Sequence, residues 1–229
     1  MAISGLMILK KMAWQTPGDS ITAKENALWV IYAPLNSLES RTVRYGLSLL
    51  AISVQKIKGI GFPILIVTDD DSLMPEHLPT PFRGSEVILL SDKTLGAKFT
   101  ARANTPVPKI ATEYRIDIHA NQGYGIWFET GPAKGEEWKG VLAGGLISDV
   151  NAHGVGTSGL LPLKTVLEYQ MQGIKLSFGK NEFSAWAVKN IIDDQHSYYF
   201  RFNDIPDQIL FGQLPDEQDD GLLYHIELC

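Results

Sequence analysis

Residues 63–72 read PILIVTDDDS, and this stretch decides the expected fold. Four consecutive apolar residues after Pro63 predict a short buried strand, and three carboxylates follow at its carboxyl end, Asp69, Asp70 and Asp71. In an open α/β sheet the carboxyl ends of the strands border the ligand crevice. Adjacent carboxylates repel one another unless a cation, hydrogen-bond donors or water compensate their charge. The stretch therefore predicts either a nucleotide or divalent-metal site, or a solvated turn.

The residues before this stretch complete a strand–helix–strand unit. Residues 27–33 (ALWVIYA) are entirely apolar and predict a strand that is buried on both faces. A helix is expected next, with Ser37 or Ser40 as its N-cap, and glycines at 59 and 61 end it. One apolar stripe of this helix is expected to pack on a sheet, and it consists of Val43, Leu47, Leu50, Val54 and Ile57. Residues 86–90 (EVILL) predict a third short strand.

The carboxyl half is predicted to be rich in strands. The segments with strand-like patterns are residues 114–120, 124–129, 138–150, 198–202 and 222–228. Residues 121–123 (NQG) predict a hairpin turn between the first two. Two short helices are expected at residues 162–172 and 182–192, the first because proline stands near its start and glycine follows it, the second because Asn181 is a candidate N-cap. The glycine-rich residues 153–159 predict a flexible connection.

The predicted fold lies between the α/β and α+β classes. It has a strand–helix–strand amino half on a mixed sheet, and a strand-rich carboxyl half with two short helices. A single domain is expected, with an irregular lead-in over residues 1–27, an α/β half over residues 28–112 and a strand-rich half over residues 113–229.

The composition indicates which binding partners and which cellular compartment are expected. A formal charge of −6 on 229 residues argues against nucleic acid as a partner. The single cysteine, Cys229, excludes an intrachain disulfide and fits a reducing compartment. At the amino terminus an apolar run precedes Lys10 and Lys11, the reverse of a secretory signal, and no apolar run approaches membrane-spanning length. A soluble, cytoplasmic protein without a membrane span is expected.

Three polar residues alternate along the predicted strand at residues 114–120. Asp117 and His119 fall on one face of that strand, and Asn121 continues the face at the turn. Residues of these types at this spacing are able to converge on one divalent cation, Mn²⁺ or Mg²⁺, or on one phosphate. The alternative is an edge strand with a polar, solvated face.

A second interpretation joins Asp117 to the segment Glu137-Trp138-Lys139. An acid followed at a distance by Glu-x-Lys is typical of the metal-dependent nuclease core, in which two acids hold the metal and the lysine orients water. Glu137, however, follows residues 131–136 (GPAKGE), which predict a turn, and the acidic total disfavours DNA binding.

Short motifs follow one another in a definite order in the amino half. They are residues 34–37 (PLNS), 70–72 (DDS), 94–96 (TLG), 101–104 (ARAN) and 113–114 (EY). In this order they resemble the motifs of nucleotide-sugar glycosyltransferases of the GT-A fold, over about residues 27–121. The metal-binding Asp-x-Asp of that family is not preserved, because its place is taken by residues 119–121 (HAN) or 117–119 (DIH).

The resemblance implies a function and roles for individual residues. Residues 69–71 would form the nucleotide site, with one of the last two acids on the uracil or ribose and Arg102 near the diphosphate. Asp193 or Asp194 would be the general base that activates the acceptor hydroxyl. The implied reaction transfers a sugar from a nucleotide-sugar donor to a hydroxyl acceptor, with a divalent metal neutralising the departing diphosphate.

The competing hypothesis belongs to another class of function. The missing Asp-x-Asp and the strand-rich carboxyl half also fit a non-enzymatic structural or interaction subunit of a larger assembly, such as a viral or phage particle or a secretion-type complex. Such a protein would bind copies of itself or an assembly partner instead of a small-molecule substrate.

Overall fold

The computed structural model describes residues 11–215 and 221–229. Residues 1–10 of the predicted lead-in lie outside the described part. The remainder of the lead-in is not wholly irregular, because it contains a 3-10 turn at Ala13–Gln15 and a short helix, α1 (Gly18–Thr22).

The amino half contains the predicted strand–helix–strand unit. Its further elements are β1 (Trp29–Ala33), α2 (Arg41–Lys58), β2 (Ile64–Thr68), β3 (Glu86–Leu89) and α3 (Leu95–Ala103). Strand β2 lies between β1 and β3, and both pairings are parallel. The prediction of a mixed sheet was therefore wrong, since the antiparallel strands of the chain form separate sheets. The sequence did not predict α3.

Burial differs between the two strands that were predicted first. All five residues of β2 are buried, as expected for the central strand of a parallel sheet. Strand β1 is an edge strand, and its Val30 and Tyr32 side chains are 40% and 55% exposed. The prediction that residues 27–33 are buried on both faces was therefore wrong for one face.

Helix α2 connects the two halves of the molecule. Ser40 caps it as predicted, accepting a hydrogen bond from the amide of Val43. One side of the helix, including Leu50 and Val54, packs on the parallel sheet, whereas Leu49 and Ile52 on another side join the apolar core of the carboxyl half. The ends of the predicted stripe, Val43 and Ile57, are exposed. The helix is therefore buried along two faces, and the sequence pattern revealed only one of them.

The carboxyl half forms two antiparallel sheets. Its strands are β4 (Tyr114–Asn121), β5 (Gly125–Pro132), β6 (Trp138–Gly145), β7 (Val150–Thr157), β8 (Met171–Phe178), β9 (Asn181–Ile192), β10 (His196–Phe202), β11 (Gln208–Gln213) and β12 (Leu223–Glu227). One sheet has the order β4-β5-β10-β7, and the other has the order β12-β11-β6-β9-β8. Apolar residues from both sheets, among them Phe128, Phe200 and Phe211, form one core, so the sheets pack as a sandwich.

The two helices predicted for the carboxyl half are absent from its described residues. Residues 181–192 form β9, because Phe183, Ala185 and Ala187 alternate into the core and the strand pairs with β6 and β8 on either side. Residues 158–170, which include most of the first predicted helix, form an irregular segment between β7 and β8. The apparent N-cap, Asn181, is instead the first residue of a strand. Strand pairing on both sides has overridden a sequence with fair helix propensity.

Two further segments differ from their predicted structure. The glycine-rich residues 153–159 are not a flexible connection, since most of them belong to β7. Gly154 and Gly156 leave room for Pro162 and Thr165 of the following segment to lie over the strand. The long strand predicted at residues 138–150 is divided into β6 and β7 by a turn that includes Ile147 at a positive φ of 59°.

Helices of membrane-spanning length and hydropathy do not occur among residues 11–215 and 221–229.

Candidate functional site

The β4–β5 hairpin brings three potential metal ligands together. Asp117 and His119 alternate on β4 and share a face, as predicted. The hairpin pairs Asn121 with Gly125, and the same register places Glu129 of β5 directly opposite Asp117. A side chain that the sequence did not single out thus completes the group.

The ligand atoms of this group are close and largely buried. One ligand atom from each of Asp117, His119 and Glu129 lies within 4.8 Å of the other two. His119 Nε2 lies 2.5 Å from Glu129 Oε2, at hydrogen-bond distance. The Glu129 side chain is 3% exposed and that of His119 is 22% exposed, so solvent reaches the group on the histidine side.

The second oxygen of Glu129 is held by residues from two other strands. Oε1 accepts hydrogen bonds from Ser197 Oγ at 2.7 Å, from the Gly159 amide at 2.8 Å and from Ser158 Oγ at 3.2 Å. Ser197 belongs to β10, whereas residues 158 and 159 follow β7. The carboxylate therefore connects β5 with β10 and with the start of the irregular segment.

Arg115 stabilises the same network from β4. Its Nη1 donates to the hydroxyls of Ser158 and Ser197, which themselves donate to Glu129. Its remaining donors reach carbonyl oxygens of Pro132, Asp193 and His196 at 2.7, 2.8 and 2.9 Å. All five N–H donors of the guanidinium are thus used, and two serine hydroxyls link its charge to that of Glu129.

Gly131 makes room for this guanidinium. It lies opposite Arg115 in the hairpin, and a β-carbon at position 131 would overlap Arg115 Nη2. The absence of a side chain here lets the arginine lie flat across β5 toward β10.

The two carboxyl groups of the site differ in their pKa. Burial by itself raises the pKa of Glu129, but the hydrogen bonds from His119, Ser197 and Gly159 outweigh it and lower the pKa to about 2. Burial raises the pKa of Asp117, and the Ile118 amide and the charge of Lys56 only partly oppose this effect. Glu129 is therefore stabilised as a carboxylate by the protein, whereas Asp117 lacks comparable compensation.

The third residue of the predicted metal set, Asn121, does not join Asp117 and His119. Asn121 Oδ1 accepts hydrogen bonds from the amides of Gly123 and Tyr124 at 2.8 and 2.9 Å. Its side chain thereby stabilises the hairpin turn. The structure brings together Asp117 and His119, with Glu129 in the place expected for Asn121.

The predicted general bases lie in the turn between β9 and β10. Asp193 Oδ1 accepts hydrogen bonds from the Gln195 amide, the His196 amide and His196 Nδ1 at 2.8–2.9 Å. The hydrogen bond from the His196 side chain is the main reason that the pKa of Asp193 is lowered. Asp194 contacts the Gln195 side chain. The helix expected before these acids is absent, since residues 181–192 form β9. Only the backbone carbonyl of Asp193 joins the Arg115 network.

The three acids at residues 69–71 follow β2, as predicted, but they form a turn. Asp69 accepts a hydrogen bond from the Leu35 amide at 2.6 Å. Asp70 Oδ1 accepts from the amide and hydroxyl of Ser72, which lower its pKa. Asp71 is exposed. Among the described residues these acids join no cluster of three potential ligands.

Arg102 lies at the opposite end of the parallel sheet. It forms hydrogen bonds of 3.0 and 2.8 Å with Glu86, the first residue of β3. Glu86 pairs with Leu65 in the register, whereas Asp69 lies four residues further along β2, about 13 Å away at the rise of an extended strand. The nucleotide-binding residues implied by the resemblance are therefore divided between the two ends of the strands.

The residues of the nuclease hypothesis also remain apart from Asp117. Glu137 and Lys139 are exposed beside the start of β6, which belongs to the other sheet of the sandwich. Neither the amino-half acids nor Glu137 joins the group on β4 and β5.

No protein-family model matches the chain, and a comparison with curated proteins finds no significant match.

Proposed function

We propose that this protein is a metal-dependent enzyme whose divalent cation is held by Asp117, His119 and Glu129. The observation that carries the proposal is the convergence of three ligand atoms from two paired strands, within 4.8 Å of one another. Ligand atoms around one cation at about 2.1 Å are separated by roughly 3 to 4 Å, so small side-chain movements suffice. A cation would also supply the positive charge that the buried Asp117 lacks.

The mixture of ligands favours particular metals. Imidazole is a common ligand of Zn²⁺ and other transition metals, whereas carboxylates also suit Mn²⁺ and Mg²⁺. One imidazole nitrogen and two carboxylate oxygens therefore fit Mn²⁺ or Zn²⁺ better than Mg²⁺. The ionised Glu129, held by Ser197 and Gly159, is already in the protonation state that a metal ligand requires.

The reaction that we propose is glycosyl transfer from a nucleotide sugar, and its support is the motif order in residues 27–121. A divalent cation would neutralise the charge that develops on a departing diphosphate. Residues 69–71 lie away from the three ligands, so the nucleotide would have to be bound by other groups near β4. Release of nucleoside diphosphate from uridine and guanosine diphosphate sugars, with and without Mn²⁺, tests this reaction separately from cation binding.

The test of the metal centre is thermal unfolding after removal of metal with EDTA. We expect saturating Mn²⁺ or Zn²⁺ to raise Tm by about 5–10 °C, since a cation at 100 times its Kd stabilises by about 2.7 kcal/mol. Asp117→Asn and His119→Gln should lose most of this shift, because the first removes the negative charge of a ligand and the second replaces the imidazole nitrogen with a weaker amide ligand.

Asp194→Asn is the matched control, since its carboxylate accepts a hydrogen bond from the Gln195 side chain and belongs to no cluster of potential metal ligands among the described residues, so the metal-induced shift should be unchanged. The metal centre is ruled out if Mn²⁺, Zn²⁺ and Mg²⁺ at millimolar concentration leave Tm unchanged. An equal shift in His119→Gln would likewise show that cations bind elsewhere.

A second candidate function, an interaction subunit, is favoured by the irregular segment before β8. Four large apolar side chains project from it into solvent, with exposures of 68% for Leu160, 96% for Leu163, 81% for Val166 and 78% for Tyr169. Contiguous exposed apolar side chains mark interaction sites. The segment is fixed at its base, where the Leu160 amide donates to Tyr199 Oη, so these side chains are presented on an anchored loop.

If this candidate is correct, the chain should form a defined oligomer through the segment. Light scattering after size exclusion should give a mass at least twice 25.3 kDa. Leu163→Asp should return the protein to 25.3 kDa, whereas Ile57→Asp, at an exposed apolar site on α2, should not. A monomer at every concentration would count against self-association.

A further inference from the structure

A cavity of about 780 Å³ opens between the two halves of the molecule. It lies at the amino ends of β2 and β3, and residues 105–108 and the start of β4 close it on the other side. Its volume falls in the range of about 300–1,000 Å³ that is typical of small-molecule sites. The Asp117 cluster does not line it.

Much of the cavity wall is apolar. Phe62, Ile116 of β4 and Ile226 of β12 contribute to it, and Phe62 and Ile226 are almost fully buried. Ile110 also lines the cavity, although its side chain is 55% exposed. An apolar group of a ligand would cover the exposed parts of Ile110 and Ile116, at roughly 25 cal/mol per Å² removed from water, and would make packing contacts with the buried Phe62 and Ile226.

The charged groups on the cavity wall differ in whether they are free to bind a ligand. Arg102 is paired with Glu86, and the five donors of Arg115 are all used within the β4–β10 network. Lys56, in the last turn of α2, forms no hydrogen bond or ion pair with any residue in the described ranges. Its exposed ammonium is therefore available to an anion in the cavity.

We propose that this cavity binds a small organic anion, with an apolar or aromatic body against Phe62, Ile116 and Ile226 and its acidic group on Lys56. Lys56 is a cation on the cavity wall, and its charge has no direct partner among the described residues. The ligand is therefore expected to be an anion. The cavity is distinct from the metal centre in position, because none of the three metal ligands lines it, and the titration is made without metal because the charge of Lys56 also acts on Asp117.

The experiment titrates the full-length protein, in EDTA, with 8-anilinonaphthalene-1-sulfonate and follows its fluorescence. The neutral analogue N-phenyl-1-naphthylamine, which has the same rings without the sulfonate, measures the contribution of the charge. Gly84 lines the cavity, and a β-carbon at this position would meet nothing within 4 Å, so Gly84→Phe adds a bulky ring at the cavity wall without a steric clash. Gly96 has equally open space outside the cavity, and Gly96→Phe is the matched control.

We expect the sulfonate to bind about tenfold more tightly than the neutral analogue, a difference of about 1.4 kcal/mol. Lys56→Gln should remove this preference, whereas Lys24→Gln, at an exposed lysine outside the cavity, should retain it. Gly84→Phe should weaken binding of both probes at least tenfold relative to Gly96→Phe. Unchanged affinity in Gly84→Phe overturns the proposal, since the dye then binds elsewhere, and so does unchanged sulfonate preference in Lys56→Gln.

Discussion

Glu129→Ala is expected to lower the free energy of unfolding by about 3–5 kcal/mol. The carboxylate is 2% exposed and accepts four hydrogen bonds, from His119, Ser158, Gly159 and Ser197. Its removal leaves these donors without their acceptor. It also removes the anion that two serine hydroxyls connect to the charge of Arg115. The free-energy cost of leaving these groups unpaired exceeds the cost of the lost side-chain volume.

Urea unfolding followed by circular dichroism measures this loss. Glu129→Gln keeps the volume and one acceptor oxygen, so we expect a smaller loss of about 1–2 kcal/mol. Glu137→Ala is the control for removing a glutamate at an exposed site, and its effect should stay within about 0.5 kcal/mol. A loss below 1 kcal/mol for Glu129→Ala would show that the network contributes little to stability.

The position of Glu129 was within reach of sequence reasoning. The hairpin turn at residues 121–123 was predicted correctly, and pairing across it places Asp117 opposite Glu129. The partner Ser197 was not predictable in this way. Its strand, β10, pairs with β5 although more than sixty residues separate the two strands, and no local pattern specifies that pairing.

The amino half was more predictable than the carboxyl half for a physical reason. The unit β1–α2–β2 is built from consecutive elements, and its apolar patterns are continuous along the chain. In the carboxyl half, β9 contains alanines and a plausible cap, and only its pairing with β6 and β8 makes it a strand. Local propensity decides little where two neighbouring strands satisfy the backbone.

The acids at residues 69–71 show that a position at the carboxyl end of a strand does not by itself identify a binding site. Their place after β2 was predicted correctly, but Leu35 and Ser72 supply donors to Asp69 and Asp70, and Asp71 is exposed to water. The turn thereby stabilises the charges itself. A group at the carboxyl end of a strand becomes a candidate site when its charge lacks such local donors.

Acidic pH is expected to destabilise the protein through Glu129. Its pKa is about 2 in the folded protein against 4.5 as the ordinary value, so the unfolded chain takes up the proton first as the pH falls. The stabilisation is fully present above pH 4.5 and is lost as the pH falls from 4.5 toward 2. It amounts to about 3 kcal/mol in total, of which about 2 kcal/mol is lost between pH 7 and pH 3.

Other groups with shifted pKa values titrate in the same experiment and must be separated from Glu129. Burial lowers the pKa of His153 and of His225, so stability from these residues is also lost as the pH falls below about 6.5. Burial raises the pKa of Asp117, so its protonation acts in the opposite direction. Three aspartates also have lowered pKa values and act in the same direction as Glu129: Asp70, Asp92 and Asp193. All of these groups remain in Glu129→Gln, so their contributions cancel in the difference between this variant and the unmodified protein, apart from the effect of the Glu129 charge on the pKa of Asp117.

The measurement is the free energy of unfolding in urea at pH 7, 5, 4 and 3 for both proteins. The stability difference in favour of glutamate should be constant above pH 5 and should fall by about 2 kcal/mol, to about zero, by pH 3. A constant difference down to pH 3 would mean that Glu129 titrates as an ordinary carboxyl group. In that case the donors around it do not hold it ionised, and the central requirement of the proposed metal centre, a buried carboxylate ready to bind a cation, is not met.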